Sequence, residues 1–234
     1  MILDSGKFFL KTLKKPIKVT DLVFVIAPRI NAAGRMDQGL SAVELLMSDN
    51  LELALPKARS IDFFNTERRS TDERITVEAL QQIVLNEETT CFSTVVFHPS
   101  WHKGVIGIVA SRLIETYYRP TVVLTESEGV LSGSVRSVSG FDVYQALEAC
   151  SEFMIQFGGH KYAAGLTLKP EQLTGFKQCF EAYAEAHLLP EQLQPTYSYD
   201  LELQFDALTP KLYRIINQMA PFGPKNMRPV LILL

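Results

Sequence analysis

Residues 93–126, STVVFHPSWHKGVIGIVASRLIETYYRPTVVLTE, carry the reading of the fold. STVVFH is short, apolar and β-branched, the pattern of a strand buried on both faces. In GVIGIVASRLIETYY the residues Val105, Ile108, Val109 and Leu113 fall on one helical face. RPTVVLTE is a second strand, SEG a turn, and VLSGSVRS (130–137) a third strand. Strands alternating with a helix predict an α/β domain. FDVYQALEAC (141–150) reads as a further helix, and KPEQLTGFKQCFEAYAEAHL (169–188), with proline at its start, as the closing one.

Downstream, Pro190 and Pro195 bracket a polar linker. Tyr197, Tyr199, Leu201, Leu203 and Phe205 then alternate with Ser198, Asp200, Glu202, Gln204 and Asp206, which predicts a half-buried strand. A helix is expected from about Thr209 to Met219. The closing APFGPKNMRPVLILL ends in a strand-like run with no partner strand after it, as if cut inside a further unit. Upstream, residues from about Pro56 to Glu87 are helical and highly charged, with a broken stripe of Ile61, Phe64, Ile75, Leu80 and Ile83. A long polar helix with a thin apolar stripe reads as a connector between domains. Ahead of it stand a basic patch, KTLKKPIK (11–18), a β-like run, LVFVIA (22–27), the loop-like PRINAAGRMDQG (28–39) and a helical SAVELLMS (41–48).

Composition sets the class. The chain has 234 residues, 47% hydrophobic and 21% charged, with a net charge of −3. One large domain or two modest ones fit that length. No apolar run approaches the roughly 20 residues of a membrane span, and Met1-Ile2-Leu3-Asp4 does not open a signal peptide. Cys91, Cys150 and Cys179 are scattered without CxxC spacing and read as buried thiols of a reducing, cytoplasmic compartment. The acidic balance disfavours blanket nucleic-acid affinity but leaves room for a local basic site.

Several stretches carry chemistry, each open to two readings. Gly104 and Gly107 open a helix whose exposed amides suit an anion, with His102 and Lys103 just before; they would equally serve close packing of the helix on its sheet, with Trp101 in the core. His98 and His102 lack a carboxylate companion for a metal site. LSGSVRSVSG (131–140) offers small hydroxyl side chains, amides and Arg136, a phosphate-binding set or a plain serine-rich turn. In QFGGHKYAAG (156–165) paired glycines allow a ligand to approach the backbone, with His160 and Lys161 as donors; the alternative is a tight turn holding a core histidine. Tyr162 is a stacking candidate whose apolar flanks favour the core. APRINAAGR places Asn31 and Arg35 around small residues, in a functional loop or a plain one. Asp4, Asp21, Asp37 and Asp49 are isolated, so no dense Asp/His cluster marks a catalytic metal site.

Taken together and in order, APRINAAGRM, NTERRSTDERITVEA, WHKGVIGIVASRLIETYYRPTVVL, GSVRSVSGFDVYQAL, FGGHKYAAG and APFGPKNMRPV resemble the RecJ family of single-strand-specific exonucleases, within the DHH phosphoesterase superfamily. The resemblance implies a mixed-sheet α/β fold. The tail of a DHH catalytic domain (1–50) is followed by a long connecting helix (51–89), a DHH-associated domain (90–190) and the truncated start of an oligonucleotide-binding, OB-like domain (196–234). It implies 5′→3′ hydrolysis of single-stranded DNA in recombination and repair, with Mn²⁺ or Mg²⁺ bound by ligands that lie outside this chain, so that the chain alone is inactive. Residue by residue it assigns His160 a catalytic place. Asn31, Arg35, Gly133, Ser134, Arg136, Ser137, Gly158, Gly159 and Lys161 are assigned to substrate phosphate. Single-stranded DNA is the implied partner, with a single-strand-binding protein and a helicase beside it, and no membrane. The family's usual PFGxGN reads PFGPKN here, with Lys225 in place of a glycine. A small-substrate phosphoesterase of the same superfamily and a non-catalytic nucleic-acid-binding scaffold are the competing readings.

Overall fold

The computed structural model describes residues 18–36 and 39–234. The basic stretch before Lys18, Asp4 and Asp37 lie outside the described residues. The chain divides into two compact units, Met1–Gln194 and Pro195–Leu234.

At the centre of the first unit is a five-stranded mixed sheet in the order β1-β2-β3-β5-β4. Its strands are β1 (Thr94–Phe97), β2 (Thr121–Ser127), β3 (Val130–Arg136), β4 (Gln156–His160) and β5 (Ala163–Leu168). β1 and β2 run parallel and the other pairs antiparallel. The parallel pair needs a crossover, which the 93–126 segment supplies as helix Ile106–Thr116.

Because successive strand residues point to opposite faces, the register sorts the side chains cleanly. Val95, Val122, Leu124, Leu131, Val135, Ala164, Leu166 and Leu168 share one core with Phe176 and Phe180. Val96 and Val123, on the opposite face, join Trp101, Val105, Val109 and Leu113 in a second core.

The longer described helices of this unit, numbered in chain order, are α1 (Ala27–Arg35), α2 (Gly39–Met47), α3 (Leu51–Leu85), α4 (Ile106–Thr116), α5 (Val143–Ala149) and α6 (Leu173–His187). α3 is the long polar helix. Asn50 caps it by accepting the Glu52 N–H at 2.8 Å, so it begins before Pro56, which lies inside the helix. Its first half buries Ala54, Ala58 and Ile61 against Ala33, Ala42 and Leu45. Its second half buries Ile75, Ala79 and Ile83 against α4. Between the two stripes sit Asn65 and Asp72, both buried. At roughly 1.5 Å per residue the helix extends about 50 Å.

Three readings of the sequence need correction. LVFVI, read as a strand, is a helical turn running straight into α1, and APRINAAGR, read as a loop, is α1 itself. Val25, Ile26 and Ile30 pack on the α2–α3 core, so tertiary contacts override the β preference of the branched residues. The paired glycines of QFGGHKYAAG lie within strand β4, and the turn falls at Lys161–Tyr162. Among the cysteines, Cys150 is buried while Cys91 and Cys179 are half-buried, and all are free.

In the second unit β6 (Leu201–Leu203) pairs in parallel with β7 (Leu231–Leu233). The strand-like run at the end of the chain thus pairs back upstream. The long alternation at 197–206 forms a ladder only at its centre. Between them α7 (Pro210–Gln218) is capped by Thr209, which accepts the Leu212 N–H at 3.2 Å. In PFGPKN, Gly223 and Asn226 exchange both backbone hydrogen bonds at 2.9 Å. Lys225 takes φ +69°, the left-handed conformation that follows proline in a type II turn and suits glycine. Since the left-handed region costs an L-residue roughly 1–2 kcal/mol, Lys225→Gly should stabilise the turn by about 0.5–1 kcal/mol after glycine's own entropy cost. Slower hydrogen exchange at the Gly223 and Asn226 amides is the readout.

Candidate nucleic-acid interface

α3 and α4 cover the β1–β2 side of their sheet face and reach β3. Beyond it, Gly165, Gly158 and His160 are exposed. Directly opposed residues in antiparallel strands share a face, so the register defines what lies open. Arg136 pairs with Ala163 and Ala163 with His160, forming one cross-strand row. Ser134, Gly165 and Gly158 form the next row. The result is a floor of hydrogen and methyl, walled by Arg136 and Ser134 on one side and His160 on the other. A Cβ built on Gly158 meets nothing within 4 Å, and one on Gly165 approaches only the Gly133 carbonyl at 3.7 Å.

The start of α4 roofs the basic wall. A Cβ on Gly107 would lie 2.9 Å from both Arg136 Nη2 and Ser134 Oγ. Glycine here lets the guanidinium and hydroxyl sit against the first turn of the helix, where the Ile108 N–H already bonds the Val105 carbonyl and the earlier amides, at Ile106 and Gly107, favour an anion. Arg136 Nη1 donates to Ser134 Oγ at 3.1 Å and to the Val135 carbonyl at 2.8 Å. Burial lowers the Arg136 pKa below its ordinary value, and the nearby Arg35 charge pushes the same way. A phosphate would relieve both penalties.

Arg35 reaches this site through a close backbone approach. A Cβ on Gly104 would lie 2.2 Å from the Arg35 carbonyl, so only glycine allows the end of α1 to seat there. The loop carrying Gly104 is pinned in turn. Trp101 Nε1 donates to Glu78 Oε2 of α3 at 2.8 Å, His98 stacks on the Trp101 ring, and His102 Nδ1 accepts the Gly104 N–H at 3.1 Å. His98 and His102 are therefore engaged in shaping a loop. Among the described residues no three His, Cys, Asp or Glu side chains come together as a metal site.

The residues singled out from sequence take unequal places. Arg35, Ser134, Arg136, Gly158 and His160 converge on the open face. His160 Nδ1 accepts the Tyr162 N–H at 3.2 Å, which assigns the proton of the neutral ring to Nε2, a donor. Gly159 points the other way. Its φ is +154° and its Cβ would fall 2.4 Å from the Ala163 carbonyl and 2.5 Å from Ala164 Cα. Gly133 faces the core, where a Cβ would meet Leu124 Cδ2 at 2.7 Å. Ser137 Oγ is spent on the Phe141 carbonyl at 2.8 Å. Lys161 is exposed at the turn, its Nζ 5.9 Å from the centre of the Tyr162 ring. Tyr162 is 57% exposed, a free aromatic surface in place of the core residue its flanks suggested. Asn31 is exposed one helical turn before Arg35.

Sequence reading missed Arg68 and Arg112. Arg68 lies close enough to feel the charges of Arg35, Arg69, Arg112 and Asp72. The charged run ERRSTDER hid it among solvated neighbours, and the helical spacing from buried Asn65 to Asp72 was the available signal.

The DHHA1 domain family matches residues 88–186, the stretch that builds the sheet and its open face. The RecJ OB domain matches residues 199–233. The chain carries a DHHA1 domain and the start of a RecJ OB domain. Single-stranded-DNA-specific exonuclease RecJ of Bacillus subtilis is 36% identical over 208 residues, 88% of this chain and 26% of that protein. The Escherichia coli protein of the same name is 32% identical over 222 residues, 92% of this chain and 38% of its own length. The chain thus spans well under half of these relatives. The crystal structure of RecJ in complex with Mn²⁺ from Thermus thermophilus superposes with a TM-score of 0.85 at 30% identity, over 98% of this chain and 34% of that one. Over that third of the RecJ structure the fold is the same: a mixed-sheet α/β domain, a long helix and the start of an OB unit.

The two glycines of the GGH motif should separate cleanly in thermal unfolding. Gly158→Ala should leave stability unchanged, since its Cβ enters open space. Gly159→Ala should cost about 3 kcal/mol or more, from backbone strain and a clash with Ala163 and Ala164.

Proposed function

We propose that this chain is the backbone-gripping part of a RecJ-type exonuclease that hydrolyses single-stranded DNA from its 5′ end in recombination and repair. The observation that carries the reading is the row Arg136–Ala163–His160 beside the bare floor of Gly158 and Gly165, under the start of α4. A sugar-phosphate backbone fits such a floor because nothing projects from it. Arg136, Ser134 and the first amides of α4 bind one side of a phosphate group, and His160 Nε2–H donates from the other. Arg35 adds charge without needing a ligand of its own. Small donors fixed on a sheet hold a scissile bond in one orientation, which is the part of catalysis that positioning supplies. A single strand adds a requirement for stacking, and the exposed Tyr162 ring, next to His160, offers it.

Under this reading residues 1–50 are the tail of a DHH domain, 51–89 the connecting helix, 90–190 the DHH-associated domain and 196–234 the start of an OB-like domain. Relatives carrying this segment have been crystallised with Mg²⁺ and Mn²⁺, and a divalent ion belongs to the proposal. It would activate water and stabilise the leaving oxygen. The described residues hold no ligand set that fits it, so their share of the work is binding and orientation. The 234-residue chain alone is therefore expected to bind without cleaving. The OB match at 199–233 favours a polymeric strand over a dinucleotide, and the exonuclease relatives favour an enzyme over a scaffold. A cytoplasmic setting and further partners, a single-strand-binding protein and a helicase, belong to the same proposal. No helix among the described residues is long and apolar enough to cross a membrane.

Fluorescence anisotropy with a labelled dT oligonucleotide at two salt concentrations tests this. The chain should bind in a salt-sensitive manner, and Arg136→Ala should weaken binding roughly tenfold or more, as removal of a charge-assisted hydrogen bond does. Gly158→Ala should weaken it while leaving stability intact. Binding indifferent to both substitutions would remove the open face from the DNA path.

A further inference from the structure

Asp72 is fully buried in the middle of α3, an expensive place for a carboxylate unless it is paired. Arg112 of α4 puts Nη2 2.9 Å from its Oδ2, yet neither carboxylate oxygen has an aligned hydrogen bond among the described residues. One turn earlier on the same face, Arg68 donates from Nη2 to Asn65 Oδ1 at 2.9 Å, while its Nε is buried without a partner. Burial lowers the Arg68 pKa. Asp72 opposes that, and Arg35, Arg69 and Arg112 add to it. Arg35 is also the charge that Arg136 feels. The cations therefore form one connected group, running from Arg112 and Arg68 on the helices to Arg35 and Arg136 at the open face.

A cluster of arginines repels itself and disperses unless something holds it. Half-exposed Arg112 could rotate into solvent, and Arg68 could follow. We infer that Asp72 is a positioning residue: its buried carboxylate holds Arg112 and Arg68 beside Arg35, so that the cationic wall is assembled before a phosphate arrives. The inference rests on the proposed nucleic-acid reading of the face and extends it inward, to a residue that touches no substrate. The physical logic is preorganisation. One buried negative charge offsets part of the cluster's repulsion and leaves a net positive charge for the ligand to neutralise. A carboxylate whose only task was to glue α3 to α4 would be replaceable without consequence for the anion site.

The test uses the 234-residue chain and Asp72→Asn, which keeps shape and removes charge. Two readouts are needed. The first is NMR of the arginine Nε–Hε groups, without DNA: Arg68 and Arg112 should be ordered in the unsubstituted chain and mobile in Asp72→Asn. The second is binding of a dT oligonucleotide across a salt series. Asp72→Asn should bind about tenfold more weakly, with the slope of log affinity against log salt reduced by about 0.7 for each phosphate that is no longer neutralised. Should Asp72→Asn not fold, Arg112→Met removes the pair from its half-exposed side and carries the same expectations for Arg68. If the arginines stay ordered, or if a folded variant binds with unchanged slope while Arg136→Ala is impaired, Asp72 is structural only and the inference fails while the interface stands. If the unsubstituted chain binds no single strand, the nucleic-acid reading falls and takes this inference with it.

Discussion

What organises this molecule is a mismatch between a sheet and its cover. Five strands present a face that α3 and α4 close over only in part, and the uncovered strands carry glycine, alanine, serine and threonine where the opposite face carries leucine and valine. Alternation along each strand makes this possible at little cost. Leu166 and Leu168 bind β5 to the core while Gly165 and Thr167 stay open, and Phe157 does the same for β4 beside Gly158. A sheet so anchored can keep a surface with nothing on it, and a surface with nothing on it admits a polymer backbone.

The charged groups depend on that floor and on close approaches to it. Gly107 lets Arg136 and Ser134 sit under the first turn of α4, and Gly104 seats the carbonyl end of α1 so that Arg35 arrives alongside. A methyl group at Gly104 would block the backbone approach, and one at Gly107 would push the two side chains aside. The pin between Trp101 and Glu78, and the Gln82 side-chain amide that pairs with the Phe97 backbone at the edge of β1, tie the loop that carries Gly104 and the strand before it to α3. The long helix is thus more than a spacer. Its two apolar stripes clamp the elements that carry the cations, and its polar middle supplies the buried acid between them.

Much of this was legible in the residues. The strand–helix–strand order of 93–126 follows from apolar spacing that tertiary structure had no reason to override, and the motif order carried the family. The GGH stretch was legible as a functional site but its geometry was not. Two adjacent glycines read alike in one dimension, yet strand alternation turns Gly158 toward the open face and Gly159 against the neighbouring strand, and only the pairing with Ala163 and Ala164 reveals it. The same holds for Gly133, whose neighbours Ser134 and Arg136 face the other way. LVFVI and APRINAAGR were misread because local preference for strand and loop lost to packing against α2 and α3. Arg68, Asp72 and Arg112 stayed hidden because a charge run on a helix reads as solvent-facing until a second helix is laid against it.

The most direct test of the central claim is a map of amide chemical-shift changes when a short dT oligonucleotide is titrated into the isotopically labelled chain. The account predicts that Gly107, Ser134, Arg136, Gly158, His160 and Gly165 move, while Phe176, Phe180 and the rest of the opposite core stay still. Shifts confined to the α5–α6 side, with the glycine floor unmoved, would contradict it.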